Sequence, residues 1–178
     1  YNWVHRTADG GEYSTMSNFI NNYYKPGPLT PEGPISYRIV KSESRSNKLF
    51  DYPQYGRIYA AGNIVEGNER VTKDNWDGGI QIADKDLPNG IPDDVKALMH
   101  SDEPFAMPHL TIIPSDQTFD KVLSNVGATF PCRDIVDQRI VEEVRTGQAY
   151  YVKKLPKKNP YGDMWGLSDK SKNEEGFF

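Results

Sequence analysis

Adjacent His5 and Arg6 are the first side chains along this chain suited to an acidic ligand. Arginine presents a planar fork of N–H donors that matches a carboxylate. Further on, Asp84, Asp86, Asn89, Asp93 and Asp94 in DKDLPNGIPDD superficially resemble a calcium loop. Their spacing has an extra residue and no closing Glu, so the stretch reads as an exposed acidic loop. His100 and His109 stand across prolines without an H-E-x-x-H pattern and read as ordinary surface or core histidines. Cys132, the one cysteine, excludes an internal disulfide and a Cys-based zinc site, and reads as a small buried filler. Lys153, Lys154, Lys157 and Lys158 form a basic patch in an acidic chain, either steering a polyanion or acting as a solvated connector. Trp3, Trp76 and Trp165 suit stacking on sugar rings or anchoring a core. Neither a Gly-rich phosphate loop nor a nucleophile elbow is present.

These side chains need elements to hold them. The 178 residues suffice for one ordinary domain. With 15 Gly and 13 Pro, about 16% of the chain against roughly 12% on average, the sequence is rich in turns and short of core formers. No apolar run reaches the roughly 18–20 residues that cross a bilayer, which excludes a spanning helix. A start without a charged-then-apolar signal leaves secretion open. The net charge of −4 and pI near 5.4 argue against a nucleic-acid binder, which shows a basic face.

Strand-like stretches run from Tyr13 to Tyr24, Ile35 to Lys41 and Gly56 to Val65, the first two separated by KPGPLTPEGP, which cannot be regular structure. From Gly67 to about residue 114 the chain reads as irregular and acidic, with one short helix, Asp93 to His100, after Pro92. Two amphipathic helices follow. Ser115 is the expected N-cap of the first, with Phe119, Val122, Leu123 and Val126 on one face before Gly127. Asp134 caps the second, with Val136, Ile140 and Val144 on one face before Gly147.

The strands share a corner. Asn21 and Asn22 precede Tyr23 and Tyr24, and Gly62 and Asn63 precede Ile64 and Val65. Asn tolerates left-handed backbone, and its amide can bond along a stack of like side chains. Such a corner suits a coil of a right-handed parallel β-helix; on pattern alone a mixed α+β domain stands beside it.

Three segments carry a resemblance: FINNYYKPGP at Phe19 to Pro28, IYAAGNIVEGNERVTKDNW at Ile58 to Trp76, and VLSNVGATFPCRDIVDQRIVEEVRTG at Val122 to Gly147. Together they resemble the C-terminal part of pectate lyases of polysaccharide lyase family 1. The resemblance implies an all-β fold, a right-handed parallel β-helix represented by its terminal coils (residues 1–75), with a C-terminal loop and extension carrying two α-helices (residues 76–178). It implies a segment of a larger domain, an expectation that Phe177 and Phe178 at the chain's end support. It also implies cleavage of polygalacturonate, or pectate, by calcium-dependent β-elimination. YNWVHRTADGGE resembles the turn after the coil bearing the family's catalytic arginine, with Asp9 where relatives often have an aromatic residue.

The family's arginine segment, Arg-x-Pro-x-x-Arg, does not occur here. Catalytic residues and Ca²⁺ ligands are therefore expected upstream, none is assigned within this chain, and the segment alone is expected to be inactive. His5 and Arg6 are the candidate substrate contacts, on the turn nearest the expected cleft. The implied partners are pectin oligosaccharides and the N-terminal β-helix part of the same protein, in a secreted, periplasmic or cell-surface setting, with no nucleic acid or membrane. A non-catalytic carbohydrate-binding β-helix protein is the alternative.

Overall fold

The computed structural model describes residues 1–8, 15–43, 55–82 and 91–149. In chain order the elements are β1 (Met16–Ile20), β2 (Tyr23–Tyr24), a 3-10 helix (Gly33–Tyr37), β3 (Val40–Ser42), β4 (Arg57–Ala61), β5 (Ile64–Val65), α1 (Glu69–Lys73), β6 (Ile80–Ile82), α2 (Asp93–Met99), α3 (Ser115–Asn125) and α4 (Ile135–Thr146). β1 pairs parallel with β4, β2 with β5 and β3 with β6. Met16 faces Arg57 and Tyr23 faces Ile64, so one pass of chain lies in register on the next. A parallel bridge from Ile58 to His100 begins a third contact, where Ser101 N–H donates to the Ile58 carbonyl at 3.0 Å.

The expected all-β right-handed parallel β-helix is corrected by this architecture. The protein is mixed α/β: helix takes up 32% of the described residues and strand 18%, and its parallel sheets are only two strands wide. The strand-forming runs are two to five residues long, and the chain between them is spent on helices and turns. Parallel pairing requires a crossover. Here α1 lies between β5 and β6, and the proline-rich stretch with its 3-10 helix lies between β2 and β3.

Period-2 alternation decides which side chains go inward. In β3, Val40 and Ser42 are buried while Lys41 is half-buried; in β6, Ile80 and Ile82 are buried around a half-buried Gln81. Ile39, Ile58, Val65, Val71, Trp76 and Met99 complete the core. Each fully buried aliphatic side chain contributes roughly 1.5–3 kcal/mol. Val71 comes from α1, whose start is set by Asn68: its Oδ1 accepts from Val71 N–H at 3.0 Å, an N-cap bond. The sequence reads this stretch as irregular, and the short helix escapes a periodicity test.

The two late helices lie where the apolar stripes place them. Asp134 caps α4 by accepting from Asp137 N–H at 2.8 Å, and Gly147 ends it at φ +73°. For α3, Ser115 is the first helical residue, and Pro114 occupies the cap position without a side-chain bond. α3 docks on β2, and Lys25, just after β2, reaches the end of α4. Phe119 packs on Tyr23 with ring centroids 5.1 Å apart, and Thr118 Oγ1 donates to the Asn21 carbonyl at 2.9 Å. Lys25 Nζ lies 4.9 Å over the Phe119 ring and donates to the Arg145 carbonyl at 3.2 Å, placing a cation at the negative end of α4.

The corner asparagines form a buried amide network. Asn63 is fully buried. Its Oδ1 accepts from Asn22 N–H at 2.9 Å and Asn22 Nδ2 at 2.8 Å, and its Nδ2 donates to the Phe19 carbonyl at 2.7 Å and Asn75 Oδ1 at 2.8 Å. Asn75 Oδ1 also accepts from Asn63 N–H at 3.0 Å, while Asn75 Nδ2 donates to the carbonyls of Asn63 and Val71. Replacing Asn63 by Leu keeps the branched outline of the side chain but strands several of these groups in the interior, and each carries a desolvation penalty. Asn63→Leu is expected to lower stability by about 2–4 kcal/mol, read in urea as a lower midpoint with unchanged slope. A loss under about 0.5 kcal/mol, the range of ordinary surface changes, contradicts this role for the network.

Candidate functional site

Residues 1–8 are tied to the first pass at several points. Asn2 N–H donates to the Lys25 carbonyl at 3.1 Å, and Asn2 Oδ1 accepts from Leu29 N–H at 2.7 Å. Trp3 Nε1 donates to the Ile35 carbonyl at 2.6 Å, Thr7 Oγ1 donates to the Ile39 carbonyl at 2.7 Å, and Arg38 Nη1 donates to the His5 carbonyl. Between this segment, β1 and β2 lies a concavity of about 750 Å³. Its lining includes Tyr1, Trp3, Arg6, Asn18, Asn22, Tyr23 and Tyr24, with Thr118 and Val122 from α3.

Arg6 is among the residues lining the concavity. Its guanidinium pairs with Glu43, which follows β3, and both side chains are about 30% exposed. His5 is exposed and is not among the lining residues; its carbonyl helps to hold the segment. The wall opposite combines amides with aromatic rings. Asn22 is held from behind by Asn63. Asn18 uses both ends of its amide on one neighbour, donating to the Phe105 carbonyl and accepting from Phe105 N–H, each at 2.9 Å.

The tyrosines are anchored by their hydroxyls or by burial. Tyr23 OH donates to Glu66 Oε2 at 2.9 Å, and Tyr1 OH donates to the Gln148 carbonyl. Burial, then the hydrogen bond to Glu66 and the charges of Glu66 and Asp120, push the Tyr23 pKa up to about 12. Burial alone pushes Tyr24 up. Chemically the concavity offers a cation, amides that donate and accept, and neutral phenol rings, a set suited to binding a hydroxylated, acidic ligand.

Of the other candidates, Trp3 also lines the concavity, and the remaining described ones are not among its lining residues. Trp3 is buried and meets Tyr24 edge-on at 6.3 Å; Trp76 is buried against His100 at 4.7 Å. Both are packing anchors. His100 Nδ1 lies 3.4 Å from Asp102 Oδ1, and His109 is exposed elsewhere. Asp93 and Asp94 form the first turn of α2, where negative charge suits the helix dipole; Asp84, Asp86 and Asn89 lie outside the described residues. Asp9, the Lys153–Lys158 patch, Trp165, Phe177 and Phe178 also lie outside them. Cys132 is exposed in the connection between α3 and α4, correcting its reading as a buried filler: a lone small side chain in a surface loop has no apolar surroundings to enter.

Among the described residues, no three or more His, Cys, Asp or Glu side chains group as a metal site requires. A smaller apolar concavity of about 250 Å³ lies beneath α3 and α4, lined by Phe119, Leu123, Ile140 and Val144 among others. The sequence reading misses Asn18, Asn22 and Glu43 as site residues. Asn22 carries a sequence signal, the corner motif, but that motif points to structure rather than to a cavity wall.

No protein-family model matches the chain, and a search of curated proteins finds no significant match.

The raised Tyr23 pKa has a consequence for alkaline stability. An unfolded tyrosine ionises near pH 10, whereas the folded Tyr23 keeps its proton to about pH 12. Stability from this group is thus complete below about pH 10 and is lost as pH rises from there through about 12. Replacing Glu66 by Gln is expected to lower the Tyr23 pKa from about 12, with burial still holding it above its ordinary value, followed by ring carbon shifts against pH. A Tyr23 titration unmoved by Glu66→Gln contradicts the assigned partner.

Proposed function

We propose that this chain binds polygalacturonate or a related acidic polysaccharide, as the substrate-facing part of a pectate lyase. Two things support the reading: the resemblance of its three segments to that lyase family, and the concavity in which Arg6 stands among amides and phenol rings. The observation that carries it is the position of Arg6. A guanidinium there supplies a charge-assisted, fork-shaped contact to a uronate carboxylate, and Asn22 lines the same space, where its amide can meet a sugar hydroxyl.

The catalytic arginine and the Ca²⁺-binding carboxylates are expected upstream of Tyr1, in the N-terminal part of the same protein. Calcium rests on the resemblance alone, and no step is assigned to it through the residues described. The reading carries with it a secreted, periplasmic or cell-surface location. A non-catalytic carbohydrate-binding protein is the second reading. It is favoured by the pairing of Arg6 with the Glu43 carboxylate, which shows the guanidinium acting as a carboxylate-binding group.

Calorimetric titration with trigalacturonate and with neutral galactotriose tests the binding. The acidic trimer is expected to bind and the neutral one not, with Arg6→Ala weakening the acidic trimer about 10-fold or more, since a charged hydrogen bond contributes roughly 1.5–3 kcal/mol. Equal binding of both trimers, or an unaffected Arg6→Ala variant, overturns the reading.

A further inference from the structure

We infer that Glu43 is a resident carboxylate that guards the concavity, and that an acidic ligand enters by replacing it on Arg6. This deepens the function proposed above and rests on that reading. Arg6 belongs both to the lining of the concavity and to an ion pair with Glu43, 37 residues away in sequence. Glu43 is not itself among the lining residues. The guanidinium therefore connects a ligand space to a carboxylate of the chain itself, the same chemical group that a uronate would present.

The backbone on both sides of the pair is fixed while the side chains are not enclosed. The His5 carbonyl is held by Arg38, and Thr7 Oγ1 by the Ile39 carbonyl. Glu43 follows Ser42, which is buried and paired in register with Ile82. Arg38 is itself buried and bonded through Nε to Gln81 Oε1 at 2.7 Å, so the frame beneath the pair is rigid. The two partners are about 30% exposed, and water screens an ion pair so placed. Exchange turns the two side chains apart above a backbone that is held in place. The ionic bond lost to Glu43 is replaced by one to the ligand.

Exchange makes Glu43 a competitor, so removing its charge should tighten binding. In titrations with trigalacturonate, Glu43→Gln, which conserves shape, is expected to bind about 3- to 10-fold more tightly than the unaltered chain, and Arg6→Lys more weakly because the fork is lost. Labelled Glu43 provides a readout that a merely structural role would not move. Its side-chain carboxyl carbon should shift as trigalacturonate is added, and should not move with galactotriose. If the unaltered chain binds trigalacturonate but Glu43→Gln binds equally or more weakly, or the carboxyl signal stays in place, the exchange fails and the proposed function stands. If neither the unaltered chain nor Glu43→Gln binds the trimer, both fall together.

Discussion

A buried amide, Asn63, joins the two strand-bearing passes of this chain. It sits at the corner between β4 and β5, wholly removed from solvent, where an unpaired polar group is costly. Every end of it is satisfied: Asn22 from one pass, Phe19 on the neighbouring strand and Asn75 after α1. Three short parallel ladders could slip relative to one another if apolar contacts alone set them, because two-residue strands such as β2 and β5 specify register weakly. The amide bonds remove that freedom. The backbone cooperates, since Asn21 and Gly62 occupy matching places before the paired asparagines and both adopt left-handed φ, +51° and +67°. A methyl on Gly62 would collide with Asn21 Oδ1, so the close stacking of the two corners depends on a glycine in the second.

The binding face follows from this corner. Asn22, held by Asn63, lines the concavity, and Tyr23 and Tyr24 continue from it as β2. Asn21 reaches the other way, its Nδ2 donating to the Ile113 carbonyl at 2.8 Å and its own carbonyl accepting from Thr118. The approach to α3 is thus fixed to the same corner as the ligand space. Lys25 then links β2 to the end of α4 and lies 3.8 Å from Glu66, the carboxylate that also receives Tyr23 OH. One corner sets the register, one wall of the concavity and the seat of both late helices.

How much of this is legible in the sequence depends on whether the signal is local. The stripe of Phe119, Val122, Leu123 and Val126, and the Asp134 and Gly147 ends of α4, are periodic or stereochemical signals that tertiary contacts only reinforce. The Asn corners are legible for the same reason. They do not disclose the architecture: an Asn pair specifies how one pass meets the next, not how many passes there are or what lies between them. The all-β expectation fails there, since α1 occupies an interval in which the sequence shows little periodicity, and α2, legible after Pro92, adds to the helical share. At the site, Arg6 is legible by residue type alone. Glu43 is not, because it lies in a polar stretch and meets Arg6 only after β3 has paired with β6. Asn18 is hidden similarly, inside a strand whose alternation says only that it faces away from the core.

Native-state hydrogen exchange tests the role of the corner most directly. If the amide network holds the passes together, the backbone amides of Asn22 and Asn63, whose acceptors are side-chain oxygens of Asn63 and Asn75, exchange as slowly as the ladder amide of Ile64, which donates to the Asn22 carbonyl, and all three open only with global unfolding. Exchange of Asn22 and Asn63 at loop-like rates, while Ile64 stays protected, would contradict the account and leave the ladders to be held by apolar packing alone.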